Sequence, residues 1–503
     1  MIIDDRHYDV IIIGTGAGGG TLAGKLAPTG KQILVLERGD VMPLEEQNRT
    51  SVDVFKRERY HAPTPWYDGE GEIFWPQTNY AVGGNTKIYG ASLMRMRERD
   101  FDEIAYPEGV SPAWEVKYAD FEPYYTEAEQ LYMVHGESGG DPTEPDRSSD
   151  YPHQPEQHES HIEPIVEALT GQGLHPTHLP LTLTLRDDDP TGDSEVFGID
   201  PALKYENVTL KTSAEVLALH TNLSGQTVKA VEAKIGNESF LFTSDIVVVA
   251  CGAINSAALL LKSANEKHPN GLANASGLVG RNLMQHQMTA VVQLATKANS
   301  GTFRRSVSVN DFYWGDENYP YPMGHIENSG GLLQDVIFAE SPPLLSVAAK
   351  LLPQFGLKQM AMRSIGWWAQ TEVLPDTNNR VWWENQKLHV DFSPNNTEAH
   401  DRLVYRWIDA LKAVEKTVKG FQQGNIHPRG QAPVQVVGYQ SGTCRFGSDP
   451  SSSVLDLNCR THEIENLYVV DSSFFPSCSG VSPALTVIAN TLRVGAHLVE
   501  KLG

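Results

Sequence analysis

The sequence predicts an α/β fold that combines a domain with a parallel sheet, discontinuous in sequence, and a β-rich domain with an antiparallel sheet. Near the N-terminus a strand, a glycine-rich turn, a helix and a second strand follow one another, which is the pattern of a βαβ unit. Buried strand and helix patterns return in the middle and at the C-terminal end. From about residue 285 to 390, short strand-like runs are instead separated by turns.

The parallel strands are predicted from short apolar runs. Tyr8–Ile13 stops at a glycine, and Lys31–Leu36 follows after a helical stretch at Gly18–Ala27. Ser244–Ala250 and Asn466–Val470 have the same apolar character. Such runs are typical of strands covered on both faces, so we expect them in the parallel-sheet domain.

The second domain is predicted from its turns and from one amphipathic helix. Trp382–Trp383 and Leu388–Phe392 predict a hairpin that turns at Asn385–Gln386. Thr397–Lys419 predicts a long helix with one apolar face, and Pro483–Leu502 predicts the last helix. These patterns divide the chain into a first domain of residues 1–136, 200–287 and 438–503 and a second domain of residues 137–199 and 288–437.

The charge of this 503-residue chain limits its partners. It contains 63 Asp and Glu against 40 Lys and Arg residues, a formal net charge of −23. Nucleic acids and anionic membrane surfaces both require a basic protein surface, so we expect neither as a partner. A small-molecule substrate is compatible with this charge, because a pocket can hold local positive charge within an acidic protein.

The cysteines and the N-terminal residues favour a cytoplasmic location. Four cysteines without a CxxC pair predict no zinc site of that kind and favour a reducing compartment. The N-terminus has neither the basic region nor the apolar region of a signal peptide, so we expect no secretory signal. The sequence contains no run of eighteen apolar residues, so we expect no transmembrane segment. His153, His158 and His161 lie in a proline-rich stretch, where we expect coil and no metal site.

One apolar segment, residues 338–362, allows two interpretations. Three prolines interrupt it. It could form a lid or packing helix in the second domain, or an amphipathic patch that touches a membrane or a lipid-like substrate. The first interpretation is favoured, because short apolar runs usually belong to a core.

Gly14, Gly16 and Gly19 form a G-x-G-x-x-G motif directly after the first predicted strand. In a Rossmann-like domain the first glycine allows a tight turn, the second lets the backbone approach a pyrophosphate, and the third lets helix and strand pack closely. The N-terminus of the following helix then directs its positive end at the phosphates. On its own the motif is a weak signal, since glycine turns are common.

Glu37 strengthens the prediction of a dinucleotide site. It ends the second strand, 23 residues after Gly14, where an acidic side chain accepts hydrogen bonds from both ribose hydroxyls. A carboxylate at this position would repel the phosphate of NADP. The residues themselves therefore predict either FAD or NAD.

Segments along the whole chain resemble the glucose–methanol–choline (GMC) oxidoreductase family. The N-terminal block DVIIIGTGAGGGTLAGKLA and the following VLERG are similar to the family's opening. The resemblance is weak from about Phe101 to Val208 and from Met288 to Val437, as expected for a substrate-binding region. Further similar segments occur in the family's order, namely Val82–Arg95, Ile246–Leu260, Gly277–His286, Gly442–Gly447, Ser453–Asp456 and Asn466–Pro476.

The resemblance implies FAD as the cofactor and residues that would hold it. It implies that the backbone of Gly83 and Gly84 lies along the pyrophosphate or the flavin, and that Val216 meets the adenine. It also implies that a helix beginning at Pro483 directs its positive end at the flavin. No His occurs between Gly83 and Met96, so we expect FAD to be bound non-covalently. The predicted cofactor-binding residues are Gly14, Thr15, Gly16, Ala17, Gly19, Glu37, Arg38, Gly83, Gly84, Asn85, Thr86, Tyr89, Gly90, Val216, Cys251, Gly252, Asp471, Ser472, Ser482, Pro483 and Leu485.

Two positions depart from the catalytic pattern of the family. Members usually oxidise an alcohol: a His before the G-T-x-R-x-G block takes the hydroxyl proton while hydride goes to flavin N5. A His or Asn before the last helix holds the substrate oxygen. This sequence has Tyr439 and Ser482 there, and both are our candidate catalytic residues. A phenol titrates near about pH 10, so at neutral pH it is a poor base but a reasonable hydrogen-bond donor.

Three functions remain open at this point. The first is oxidation of a CH–OH group of a small alcohol, polyol or sugar, with a base from elsewhere. The candidates for that base are His286, His325, His389 and His427. The second is another flavin chemistry on the same scaffold, such as a lyase, decarboxylase or isomerase reaction, and the third is an FAD-binding protein without redox turnover. The first is preferred, with the electron acceptor (oxygen, a quinone or a carrier protein) left open.

Overall fold

The computed structural model describes residues 1–503 except 44, 50–52, 55–56, 58, 61, 77, 184–191, 300–304, 331–361, 422–426, 428 and 433–437. Nearly all of the apolar segment 338–362 lies outside the described residues, so both of its interpretations stay open. Within the described part of the chain, no helix is long and apolar enough to cross a membrane.

Seven α-helices and 23 strands occur in these residues. The helices are α1 (Ala17–Leu26), α2 (Tyr118–Leu131), α3 (Glu163–Thr170), α4 (Asp200–Ala202), α5 (Ala253–Lys262), α6 (Thr397–Thr417) and α7 (Ala484–Leu502). The strands are β1 (Ile2–Ile13), β2 (Ile33–Leu36), β3 (Trp66–Tyr67), β4 (Ile73–Phe74), β5 (Ile104–Tyr106), β6 (Gly109–Ser111), β7 (Val134–His135), β8 (Pro176–His178), β9 (Leu181–Thr182), β10 (Val208–Lys211), β11 (Ala214–Thr221), β12 (Val228–Ile235), β13 (Glu238–Val249), β14 (Met284–Gln285), β15 (Gln287–Leu294), β16 (Val307–Val309), β17 (His325–Gly330), β18 (Ser364–Thr371), β19 (Arg380–Glu384), β20 (Lys387–Asp391), β21 (Arg429–Gln431), β22 (Gln440–Ser441) and β23 (Leu467–Val469).

A seven-stranded sheet contains the strands that the apolar runs predict. Five of them are parallel and lie in the order β10-β2-β1-β13-β23. β11 and β12 extend the sheet by antiparallel pairing to the first half of β13. Val10–Ile13 and Ile246–Val249 are buried, as strands covered on both faces must be. Because the five strands are parallel, their C-terminal ends lie along one edge of the sheet.

β1 is longer than predicted. It begins at Ile2, six residues before the expected start at Tyr8, because Ile2 and Ile3 pair with Phe240 and Leu241 of β13. The polar residues that follow shift the register of this pairing before His7. The apolar pattern predicted only the C-terminal half of β1, which is the buried half. On the helical side of the domain, α7 packs against both α1 and α2.

A six-stranded antiparallel sheet confirms the β-rich part of the fold, with the order β21-β15-β18-β17-β16-β8. Its apolar face packs on α6, where the ring centroids of Trp367 and Trp407 lie 4.7 Å apart. α6 is the predicted helix Thr397–Lys419, and it ends two residues earlier than predicted. The α/β class predicted for the chain is therefore confirmed.

The opposite face of this sheet carries polar side chains. His325 and Glu327 of β17 lie directly across from Gln370 and Trp368 of β18. Side chains two residues apart on a strand, and side chains directly opposite on its neighbour, point to the same face. These four residues therefore share the face that points away from α6.

A four-stranded sheet, β19-β20-β3-β4, joins segments from both predicted domains. β19 and β20 form the predicted hairpin, and its turn residues Asn385 and Gln386 have positive φ angles of 51° and 61°. β20 pairs with β3, which belongs to the first predicted range of residues. The division of the chain into two domains thus stays a prediction.

His400, in the first turn of α6, makes stability depend on pH. Its side chain is buried, and its ring nitrogens lie 2.7 Å from the Thr289 hydroxyl and 2.9 Å from the Thr371 hydroxyl. Burial lowers the pKa of His400 from 6.5 to about 4. Between these values the unfolded chain binds a proton that the folded protein does not. The stabilisation is therefore complete above pH 6.5 and is lost as the pH falls through 4.

We expect His400→Gln to remove this part of the pH dependence. Between pH 6.5 and 4 the slope of the unfolding free energy against pH should fall by up to about 1.4 kcal/mol per pH unit relative to wild type. Urea unfolding at a series of pH values measures the slope. An unchanged slope would show that the ring of His400 is not held neutral by the fold.

Candidate active site

A cavity of about 730 Å³ lies at the C-terminal edge of the parallel strands. Gly14, Glu37, Ala250 and Asp471 line it, and each follows the end of β1, β2, β13 or β23 within two residues. Ligands of open parallel sheets bind at this edge. The strands therefore bring four distant parts of the chain to one site.

Most of the predicted cofactor-binding residues line this cavity; the exceptions are Gly19, Gly83, Ser482 and Leu485. A Cβ on Gly19 would overlap the carbonyl oxygen of Gly14, so Gly19 has the close-packing role predicted for the third glycine. The N–H of Gly83 donates to the Thr15 hydroxyl at 3.0 Å, behind the cavity wall. Leu485 is buried in the hydrophobic core.

The glycine turn forms an open cradle at the N-terminus of α1. Gly14 has a φ of +99°, and a Cβ there would overlap the Ala250 carbonyl oxygen, so only glycine fits. A Cβ on Gly16 would meet no described atom within 4 Å, and no described side chain caps the helix. Free N–H groups beside open space at a helix N-terminus are the donors that a phosphate requires.

Glu37 is buried at the cavity wall and already accepts three hydrogen bonds. Its Oε2 accepts from the Thr15 N–H at 3.0 Å and the Thr15 hydroxyl at 2.6 Å, and its Oε1 accepts from the Gly39 N–H at 2.8 Å. Burial raises the pKa of Glu37, and these donors act in the opposite direction. One lone pair remains free on Oε1, which leaves room for one ribose hydroxyl and not for both.

The wall beside Glu37 is rich in cations and aromatic rings. The Arg38 guanidinium lies 4.2 Å from the centre of the Tyr80 ring. Lys262 donates to the carbonyl oxygen of Val216 at 2.9 Å, which occupies one of the two lone pairs of that oxygen. The hairpin of β19 and β20 closes this end of the cavity with Trp383, Gln386, Lys387 and Leu388.

The other end of the cavity contains Tyr439 and the N-terminus of α7. Pro483 and Ala484, at the start of that helix, both line the cavity, and no described side chain caps them. Burial raises the pKa of Tyr439, as does the charge of Glu327, whereas Arg305 and Ser482 act in the opposite direction. The phenol stays protonated at neutral pH, so it can donate a hydrogen bond.

The residues at this end that were not predicted from the sequence include Met288, Arg305, Glu327 and Trp368. Met288, Glu327 and Trp368 lie on β15, β17 and β18, and Arg305 precedes β16. A Cβ on Gly90 would overlap Nη1 of Arg305, so the missing side chain of Gly90 leaves the space for the guanidinium. One signal was available, since His325 and Glu327 alternate with apolar Ile326 as on a strand with one polar face.

Arg305 and Glu327 form an ion pair through Nη2 and Oε1. Gln370 donates to the same Oε1 at 3.2 Å. Burial acts to raise the pKa of Glu327, but Arg305 and His325 outweigh it and hold this pKa below its ordinary value. Nε of Arg305 is buried and has no hydrogen-bond partner among the described residues.

His286 packs against Tyr439, with 5.5 Å between the ring centroids. Its Nε2 lies 2.9 Å from the Ser479 carbonyl oxygen and must donate to it, which leaves Nδ1 as an acceptor without a described partner. Burial lowers the pKa of His286 to about 4. The ring is therefore neutral at physiological pH. The buried hydroxyl of Ser482, which acts on Tyr439, makes no hydrogen bond of ordinary geometry to a described residue.

The two remaining candidate histidines do not reach this end of the cavity. His389 stacks on Trp382 in the hairpin, with 4.8 Å between ring centroids. His427 lies 2.8 Å from the Glu415 carboxylate of α6. Neither is among the described residues that line the cavity.

Sequence models described as GMC oxidoreductase match residues 8–288 and 387–491, which is most of the chain. The chain belongs to the GMC oxidoreductase family. It is accordingly an FAD-dependent oxidoreductase, as the resemblance implied.

Relatives of this GMC oxidoreductase are similar over nearly their whole length. The 6'''-hydroxyparomomycin C oxidase of Streptomyces lividus is 28% identical over 99% of this chain and 92% of the relative. The paromamine 6'-oxidase of Streptomyces fradiae is 27% identical over 97% and 91%. The solved structure of a formate oxidase from Aspergillus oryzae RIB40 has a TM-score of 0.72 at 16% identity, with 99% and 100% of the two chains covered. That similarity supports the fold.

Gly16→Ala should separate cofactor binding from folding. Gly16 has a φ of −65° and open space at its Cβ position, so the variant should keep the wild-type melting temperature as apoprotein. The new methyl group occupies the space that we expect the pyrophosphate to take. FAD affinity, measured by fluorescence titration of apoprotein, should fall at least about tenfold, or about 1.4 kcal/mol.

Gly171→Ala is the matched control for this variant. Gly171 ends α3 with the same φ of −65°, is exposed, and has its nearest neighbouring atom 3.4 Å from the Cβ position. It should bind FAD as wild type does. Equal FAD affinity of Gly16→Ala and wild type would mean that the phosphates do not lie at this turn.

Proposed function

We propose that this GMC oxidoreductase oxidises a CH–OH group of a small alcohol, polyol or sugar, with hydride transfer to flavin N5. The proposal rests on the observation that the cavity is continuous. One cavity includes the open cradle at Gly16, the stretch Gly84–Gly90, and the polar end at Tyr439 and Arg305. A dinucleotide with its phosphates in the cradle would extend along this stretch and place its ring system at the polar end.

FAD, when bound, supplies the acceptor for the hydride that leaves the carbinol carbon. The free N–H groups at the start of α7 direct positive charge to the end of the cavity where a reduced flavin would carry negative charge. The stretch from Gly83 to Met96 contains no His that could bond to the flavin. We therefore propose non-covalent FAD.

The polar end of the cavity suits a small hydroxylated substrate. The Tyr439 phenol and the Arg305 guanidinium provide hydrogen-bond donors for the substrate oxygen. Met288 and Trp368 provide apolar surface for its carbon skeleton. Two relatives are oxidases of 6'''-hydroxyparomomycin C and of paromamine, so paromamine is among the first substrates to test. The electron acceptor and the cytoplasmic location stay predictions.

Anaerobic reduction of the bound flavin tests the proposed function. The holoenzyme is mixed with paromamine, a hexose and a small diol, and the flavin absorbance is followed. We expect at least one of these alcohols to bleach the flavin and to yield the carbonyl product. Turnover with a permanently oxidised flavin would instead indicate a lyase or isomerase. No reaction with a broad panel of alcohols would indicate a flavoprotein without turnover.

Tyr439→Phe tests the role of the phenol. Loss of one hydrogen bond to the substrate oxygen should slow flavin reduction at saturating substrate about fivefold, since such a bond contributes roughly 1 kcal/mol. FAD affinity should not change, because Tyr439 is replaced by a ring of the same shape. In the double variant Tyr439→His, Ser482→Asn, we expect faster reduction. An unchanged rate in Tyr439→Phe would remove any catalytic role for this residue.

A further inference from the structure

A chain of hydrogen bonds fixes the proton of His325 behind the polar end of the cavity. Asn310 donates through Nδ2 to the Asp141 carboxylate at 2.6 Å, and Asp141 also pairs with Arg97 at 2.6 Å. The amide oxygen of Asn310 therefore faces Nδ1 of His325, 2.8 Å away. Since an amide oxygen can only accept, Nδ1 of His325 carries a hydrogen.

The other nitrogen of this ring faces a carboxylate. Nε2 of His325 lies 3.4 Å from Oε2 of Glu327, and both side chains are buried. In neutral His325, Nε2 is an acceptor, so two acceptors face each other. The distance between them is longer than the value of about 2.9 Å that is typical of an N–H···O hydrogen bond. One proton placed between them converts this contact into a charge-assisted hydrogen bond. The pair is thus built to take up one proton.

This pair belongs to the substrate end of the cavity. Glu327 lines the cavity wall, and its Oε1 holds the Arg305 guanidinium against Gly90. The charge of Glu327 also acts to raise the pKa of Tyr439. At this position, members of the GMC family usually have a His. Glu327, with His325 behind it, therefore lies near Tyr439, where the usual His of the family is missing.

We propose that the Glu327–His325 pair accepts the hydroxyl proton of the substrate, in place of an imidazole at position 439. The inference rests on the proposed oxidation of an alcohol. The substrate O–H bond breaks and its proton goes to the pair. The C–H bond breaks and its electron pair leaves as hydride to oxidised flavin. The C=O bond forms, so the substrate loses two electrons and the flavin gains them.

The two residues have different roles in this step. Glu327 lines the cavity and meets the substrate hydroxyl, so it is the catalytic residue. His325 acts through Glu327 and is a positioning residue that shares the proton. Arg305, which also lines the cavity, donates to the substrate oxygen as negative charge develops on it.

The other charged or titratable side chains around the pair include His286, Tyr439, Arg305 and Arg97. Burial lowers the pKa of His286 to about 4, and burial raises the pKa of Tyr439. Arg305, and Arg97 behind Asp141, stay protonated throughout. If the rate depends on a single proton taken up at this end of the cavity, we assign that proton to the Glu327–His325 pair as a unit.

Glu327→Gln keeps the shape of the side chain and removes its ability to accept a proton. We expect flavin reduction at saturating alcohol to slow by about 10²–10⁴-fold, with FAD affinity unchanged. In wild type the rate should rise with pH along one acidic limb, and this limb should be absent in Glu327→Gln. His325→Gln should slow reduction less and shift the limb. His389→Gln, whose ring lies in the hairpin, is the control and should change neither.

A second readout does not depend on turnover. In holoenzyme labelled with ¹⁵N-histidine, the NMR signal that disappears in His325→Gln should titrate with the wild-type kinetic limb and shift its midpoint in Glu327→Gln. If the alcohol reduces wild-type flavin but Glu327→Gln keeps both rate and limb, the inference is wrong. The same holds if His286→Gln, and not Glu327→Gln, removes the limb. If no alcohol reduces wild-type flavin, the proposed function fails, and this inference fails with it.

Discussion

Four hydrogen bonds meet at the buried carboxylate of Asp471, and the shape of the cavity depends on them. One oxygen accepts from the Gly252 N–H at 3.0 Å and from the Ser256 hydroxyl at the start of α5. The other accepts from the N–H of Ser473, at 2.9 Å, and from its hydroxyl. Burial raises the pKa of Asp471, and these donors oppose the rise. The carboxylate thus joins two segments about 219 residues apart at the edge where the parallel strands end.

This arrangement gives Asp471 a different task from the one its position suggested. The resemblance to the GMC family placed Asp471 near the cofactor, and it does line the cavity. Its oxygens are nevertheless occupied by Gly252, Ser256 and Ser473, as those of Glu37 are largely occupied by Thr15 and Gly39. Both carboxylates hold the backbone of the site in shape. The free N–H groups at the N-termini of α1 and α7 also face the cavity, and neither carboxylate occupies them.

The sequence predicted the glycine cradle and missed much of the polar end of the cavity. The difference is whether the contacting residues are close together or far apart along the sequence. The turn at Gly14–Gly19 and the hairpin at Asn385–Gln386 are local, so fixed spacing and residue type are sufficient to recognise them. Glu327 reaches the cavity only because β17 pairs with β18 in one register, and Arg305 only because Gly90 leaves it room. Such contacts join residues more than 40 positions apart, and no periodicity within one segment reveals them.

The ion pair also explains why a carboxylate suits this site as a proton acceptor. While Glu327 is ionised, it draws the Arg305 charge to itself. When Glu327 takes a proton, this attraction weakens, and the guanidinium becomes available to the substrate oxygen at the moment that oxygen becomes negative. In a buried site the interaction is stronger than in water. The phenol of Tyr439 is neutral, so the Arg305 guanidinium is the positive charge that faces the reacting oxygen at this end of the cavity.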